Sequence, residues 1–198
     1  MLCLVPLASA AQSEETVPRP DVRVGDRWTY RATGFQIQGF ERFEVAVTFV
    51  DQTTIHTVYT GKGDKEADTT WTREWNLVAD PDGIVFRPSS LTFRFPMKVG
   101  DRREYEFETL VSRGAARRAV NWRSNRIVGW EDVEVPAGKF RALKIEIEGY
   151  TQRMDVVGVR ATSGAEFWYV PRVERWVKAI YKFPAYTRIE ELVETSIK

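Results

Sequence analysis

His56 is the only imidazole in this 198-residue chain, and Cys3 is the only thiol. That supply sets a low ceiling on metal and nucleophile chemistry. A zinc site usually takes several nitrogen or sulfur ligands, so a lone histidine reads as a strand residue. A serine triad could run only through His56, and the chain holds no G-x-S-x-G elbow; the nearest string, TSGAE around Ser163, lacks the first glycine. Carboxylates are plentiful. Glu104, Glu106 and Glu108 alternate along one stretch, and Glu146 and Glu148 along another. Paired carboxylates flanking a cleft can hydrolyse glycosides. Glutamates alternating with apolar residues are also what the solvent face of an antiparallel strand looks like, and we read them that way. Asp80 and Asp82 in DPDG lack the further oxygen ligands of a calcium loop and mark a turn. The pattern holds no catalytic constellation, no metal site and no cofactor motif.

Two features point to binding instead. The stretch SRGAARRAVNWRSNR carries Arg113, Arg117 and Arg118, then Arg123 and Arg126, a candidate patch for phosphate, lipid head groups or an acidic partner. The second feature is aromatic supply: seven tryptophans and eleven phenylalanines, spread over the whole chain. Read as a strand, TWTREWN places Trp71, Arg73 and Trp75 on one face. Two indoles around a guanidinium would suit an apolar chain with an anionic end. In the competing account Trp71 and Trp75 pack the core while Arg73 snorkels to water.

The elements that position these residues are strands. DRWTYRA puts Trp28, Tyr30 and Ala32 on one face, and FEVAVTFV does the same for Phe43, Val45, Val47 and Phe49. In DRREYEFETLV, Tyr105, Phe107 and Thr109 oppose the three glutamates. The alternation slips near Ala142, as at a bulge. Short alternating runs separated by turn signals predict an all-β fold: a curved antiparallel sheet or open β-barrel. Only TRIEELVETSIK has helical character, enough for a short C-terminal helix, and it also suits a last strand. The string VGDR opens two strands, at Val24 and at Val99. Gly25 and Gly100 can take positive φ, while Asp26 and Asp101 can bond nearby backbone N–H groups. This is a repeated turn rather than a repeated active site. Pro136 and Gly138 in VPAGKF mark another turn, where Pro136 fixes φ and Gly138 supplies an unusual conformation.

The ends and the charge bound the partners. The start, MLCLVPLASA, has the apolar run and small-x-small site of a secretory signal but no basic n-region. We expect residues 1–10 to be a signal remnant with the start codon upstream, 11–20 a flexible leader, and 21–198 a single β domain. Removal of the signal takes Cys3 with it and leaves no thiol for disulfides. A formal net charge of +1 gives no basic excess for nucleic acid. No apolar stretch approaches the roughly twenty residues of a transmembrane helix.

Three stretches, FPMKVGDR, IVGWEDVEVPAGKFRALKIEIEG and FWYVPRVERWVKAIYKF, resemble the TapB-like family of secreted bacterial β-proteins. The likeness rests on Pro96, Lys98, Val99, Gly100 and Asp101, and on Gly129, Glu131, Val133 and Val135. It continues through Pro136, Ala137, Gly138 and Phe140 to Trp168, Tyr169, Val177 and Lys178. The chain departs from that pattern at Arg172, Glu174 and Arg175, where glycine is common. The resemblance implies a periplasmic or envelope location and a β-rich fold, and no reaction, cofactor or catalytic residue. The resulting expectation is a non-enzymatic periplasmic or secreted binding or scaffold protein, with lipid, an acyl chain or an envelope protein as partner. The alternative is an envelope hydrolase that acts on glycan or peptide through carboxylates.

Overall fold

The computed structural model describes residues 16–34, 41–61, 66–111, 117–156 and 158–198. Among these the chain runs through twelve strands. The first six are β1 (Arg27–Gly34), β2 (Glu41–Val50), β3 (Thr54–Thr60), β4 (Glu66–Thr72), β5 (Leu77–Ala79) and β6 (Ile84–Arg87). The rest are β7 (Arg102–Val111), β8 (Arg117–Val135), β9 (Gly138–Arg153), β10 (Arg160–Val170), β11 (Arg175–Lys182) and β12 (Thr187–Ser196). Each pairs with its sequence neighbour, and β12 pairs antiparallel with β1, which closes the barrel. The all-β expectation therefore holds with two corrections. The barrel is closed rather than open, and the stretch with room for a helix is β12. Its inward Leu192 lies opposite Tyr30, and both side chains are buried. That pairing satisfies two edges that would otherwise expose unpaired backbone groups.

Twelve strands enclose a wide lumen, and large side chains occupy much of it. Trp28, Tyr30, Phe43, Phe167 and Trp176 are all buried. The connection between β6 and β7 adds Phe93, which stacks on Trp176 at 5.6 Å and meets Phe167 edge-on at 5.2 Å. Asn76 holds Phe93 by both backbone groups, accepting from its N–H at 2.6 Å and donating to its carbonyl at 2.9 Å. The same end is covered by the chain before β1. Val17 forms two backbone hydrogen bonds with Met97, at 2.8 and 2.9 Å, and both residues are buried. The leader expected to be flexible through Pro20 is thus docked from Val17 onward. The bulge anticipated near Ala142 sits across the ladder in β8, between Ile127 and Gly129, opposite Ile145 and Lys144.

Both VGDR segments fold into the same turn. Gly25 and Gly100 have φ of 94° and 91°. The Asp26 carboxylate accepts the N–H of Arg23 at 2.7 Å, and that of Asp101 accepts the N–H of Lys98 at 3.0 Å. Gly25 N–H donates to Val47 and Gly100 N–H to Ile127, both at 2.9 Å, and the two aspartate carbonyls accept in return. Each turn therefore hands its chain into the sheet with the glycine and aspartate N–H groups paired. Gly138, after Pro136 and Ala137 in the β8–β9 turn, has φ of 123°. A Cβ at Gly100 or Gly138 would meet no atom within 4 Å, so it is the backbone conformation that opposes one. We expect Gly100→Val and Gly138→Val each to cost about 1–3 kcal/mol in urea unfolding. Unchanged midpoints for both would mean that neither glycine holds a special conformation.

Candidate functional site

The lumen is polar in two places. Cross-strand register sets this. Phe107 pairs with Asn121, Tyr105 with Arg123 and Arg103 with Asn125, so the inward row of β7 turns that row of β8 inward. The register continues from Asn125 to Ile147, to Ala165 and to Tyr181. Trp122, one residue away, faces outside and stacks on Tyr150 at 4.7 Å.

These rows enclose a cavity of about 200 Å³, lined in part by Phe86, Tyr105, Phe107, Arg123, Ile147 and Phe167. Among the described residues Arg123 is the one charged side chain of the lining. Its guanidinium donates to the carbonyls of Trp122 (2.9 Å) and Tyr150 (2.6 Å), to Asn121 Oδ1 (3.2 Å) and to Thr151 Oγ1 (3.0 Å). Gly149, opposite Arg123 in the register, leaves the space for this side chain. Burial pulls the Arg123 guanidinium below its ordinary pKa, with Tyr105 opposing weakly. Burial also raises the Tyr105 phenol to about 12. Among the described residues Arg123 makes no ion pair, so the cavity carries a fixed, uncompensated positive charge.

The opposite wall holds the inward carboxylates. Arg188 donates from Nε to Glu190 at 2.9 Å and reaches Glu41 at 3.9 Å. Tyr181 donates to Glu190 at 3.4 Å and Tyr59 to Glu41 at 3.5 Å. Deeper in the lumen, Arg175 is 2 % exposed and lies 4.2 Å from the ring centres of both Trp75 and Trp176. Trp71 and Trp28 stand at 5.2 and 5.3 Å from the same guanidinium. The four indoles substitute for a counter-ion through cation–π attraction.

The residues expected to form a site fall elsewhere. Trp71, Arg73 and Trp75 do not share a strand face, because β4 ends at Thr72 and Trp75 turns back with φ of 60°. Trp75 is buried at the covered end, where its indole donates to the Glu174 carbonyl at 2.8 Å. Arg73 lies in the turn, its N–H bonded to the Thr53 carbonyl at 3.2 Å. Of the expected anionic patch, Arg113 lies outside the described residues. Arg117 is exposed, and Arg118 is bound to Glu108 in a two-point ion pair. Glu104, Glu106 and Glu108 lie on the outer face of β7, and Glu146 is taken by Arg126 at 2.8 Å. His56 is exposed on β3, edge-on to Phe49 at 5.3 Å. Among the described residues no group of three His, Cys, Asp or Glu side chains could hold a metal ion. No described helix is long and apolar enough to cross a membrane. Sequence reasoning counted Arg123 in a candidate anionic-ligand cluster with Arg117 and Arg118 rather than in the lumen, and it missed Arg175, Arg188, Glu41 and Glu190 as lumen residues. Their alternation was visible, but which parity faces the lumen was not.

No family model and no curated protein matches the chain. Solved structures do. A candidate exported protein with a YmcC-like fold from Bacteroides fragilis superposes with a TM-score of 0.54 at 13 % identity, covering 92 % of this chain and 100 % of that one. The hypothetical lipoprotein YmcC of Escherichia coli gives 0.55 at 10 % identity, over 87 % of this chain and 86 % of that one. A candidate lipoprotein of Parabacteroides distasonis gives 0.50 at 14 % identity, again over 92 % and 100 %. At these identities the likeness is one of fold: the barrel of this chain is YmcC-like.

Proposed function

We propose that this protein is a non-enzymatic binding protein of the bacterial envelope that holds a small amphipathic molecule in its barrel. One observation carries the reading. An aromatic-lined cavity of about 200 Å³ opens onto Arg123, whose charge no carboxylate neutralises among the described residues. Sites for drug-sized ligands run from about 300 Å³ upward, so the occupant is a short molecule or the end of a longer chain. Its anionic end would lie at Arg123 rather than at Arg73, and its apolar part against Phe86, Phe107 and Phe167. The envelope location rests on the signal-like first ten residues, on the exported or lipoprotein descriptions of the YmcC-like neighbours, and on the resemblance to TapB-like proteins. The hydrolase alternative is weaker, because Glu41 and Glu190 both lie against Arg188 and each also accepts a tyrosine hydroxyl.

Calorimetric titration with octanoate, and with octanol as the uncharged control, tests the reading. Octanoate should bind at least about tenfold more tightly than octanol, a difference of ~1.4 kcal/mol. Ala165→Leu fills the cavity from its wall and should abolish binding while the barrel stays folded. A flat octanoate titration, or undiminished binding by the Ala165→Leu protein, would falsify the proposal.

A further inference from the structure

The end of the barrel opposite the covered one presents apolar side chains to solvent. Five of the nine exposed large apolar residues among the described residues lie there, in two successive turns of the rim. Met154, Val156 and Val159 belong to the β9–β10 turn, and Phe183 and Tyr186 to the β11–β12 turn. All five are 37–52 % exposed. An exposed apolar cluster of this kind marks contact with a partner. The backbone holds it in place. Arg153 N–H donates to the Val159 carbonyl at 3.1 Å, and Met154 N–H to the Arg118 carbonyl at 2.9 Å. Phe183 and Tyr186 exchange backbone hydrogen bonds at 2.9 and 3.4 Å, and their rings stack at 4.6 Å.

The rim is stepped at this side. β10 pairs with β9 out to Arg160 but with β11 only from Gly164, so the β9–β10 hairpin projects beyond β11. Phe183 lies at the step beside Ser163 and Gly164, and it also lines the cavity that reaches Arg123. The outer wall between the two ends is charged. Arg126 pairs there with Glu146 at 2.8 Å and Arg31 with Glu191 at 2.8 Å, and Lys144 and Lys178 join the same carboxylates. Contact with an apolar partner is therefore left to the rim.

The charges around the projecting tip are basic. Asp155 is taken by Arg153 at 3.0 Å, and Glu166 by Lys182. Arg117 lies near enough to lower the Asp155 pKa, behind the larger effect of Arg153, and Arg160 lies over the ring of Tyr150. Arg117 and Arg160 are exposed, and among the described residues neither makes an ion pair. Strand parity puts Arg117 on the lumen side of the wall and Arg160 on its outer side. The two flank the tip and do not converge on one group. Asp80 and Asp82 stand two turns away around the rim, between β5 and β6.

We propose that this side of the open rim docks on an anionic lipid bilayer, with Met154, Val156 and Val159 in the head-group boundary and Arg117 and Arg160 on lipid phosphates to either side. Apolar residues entering the boundary beside basic ones let a protein lie on a membrane without spanning it. A surface of many head groups meets both sides of a projecting hairpin, which a single anion cannot do. Docking depends on the rim and octanoate binding on Arg123, so each can fail without the other.

Flotation of the full chain with vesicles tests the docking. Vesicles of phosphatidylglycerol and phosphatidylcholine in equal parts should bind it at least about tenfold more tightly than phosphatidylcholine alone, and salt should weaken that binding. Residues 1–10 are common to every protein compared, so differences report the rim. The Met154→Ser/Val156→Ser/Val159→Ser protein should keep its urea midpoint and its octanoate binding, and bind anionic vesicles at least about tenfold more weakly. Arg117→Gln/Arg160→Gln should lose most of the preference for anionic vesicles. Undiminished vesicle binding by the triple variant would overturn the docking. Equal binding of both vesicle types by the parent, or an unchanged preference in the arginine variant, would overturn the anionic assignment. A dimer in sedimentation equilibrium that the serine substitutions abolish, with no vesicle binding, would give the rim to a second copy of this chain instead. Octanoate binding without vesicle binding would sink the docking and leave the cavity reading standing.

Discussion

Gly149→Ala should cost about 3 kcal/mol or more and carry much of the barrel's stability with it. A Cβ at this position would fall well inside the van der Waals surface of the Trp122 carbonyl oxygen and 3.0 Å from both Cα and Cδ of Arg123. The first of these atoms is backbone of β8, so a side-chain rotation does not relieve the clash. Relief requires moving β8, which pairs with β9 from Ala119 to Val135. Relief at the side chain would unseat Arg123 and leave a largely buried guanidinium without the carbonyls of Trp122 and Tyr150. Gly100→Ala is the control: it meets no atom within 4 Å and faces only the strain of φ at 91°, about 1 kcal/mol. Urea midpoints measured side by side decide the matter. A loss for Gly149→Ala no greater than that for Gly100→Ala would mean that Arg123 is not seated over this glycine.

Trp75→Ala should be as damaging, at about 3–5 kcal/mol. The indole is 1 % exposed and meets Trp28 edge-on at 5.5 Å and Trp71 at 5.6 Å. Its removal opens a large void at the covered end and takes away one of the two rings closest to Arg175. It also leaves the Glu174 carbonyl without its donor. Trp71 is only partly buried, so Trp71→Ala should cost less. This ordering separates a packing role from a binding role at the end where Trp71 and Trp75 sit. Thermal and urea unfolding within about 1 kcal/mol of the parent would show that Trp75 is not a core residue.

What the sequence by itself determined is local. Period-two alternation in WTYRA, EVAV and YEFET located β1, β2 and β7, because side chains on a pleated backbone must alternate whatever they face. The two VGDR turns were legible for the same reason: glycine conformation and aspartate-to-backbone bonding are settled within four residues.

The tertiary structure decided closure, facing and the candidate sites. β12 carries charged and β-branched residues compatible with helix or strand, and it became strand because β1, about 160 residues away, offered an unpaired edge. In Asn121-Trp122-Arg123-Ser124-Asn125 the hydrophobic rule puts the indole inside, yet the ladder to Tyr105 and Phe107 turns asparagine and arginine inward. Register between strands is a non-local quantity, and a one-residue shift exchanges the faces of a whole strand. Trp75 left the expected strand face because a positive φ turns the chain back into a lumen too wide for the strands' own side chains to fill. Arg123 enters the lumen through the β7–β8 register, a pairing of which its spacing along the chain carries no trace.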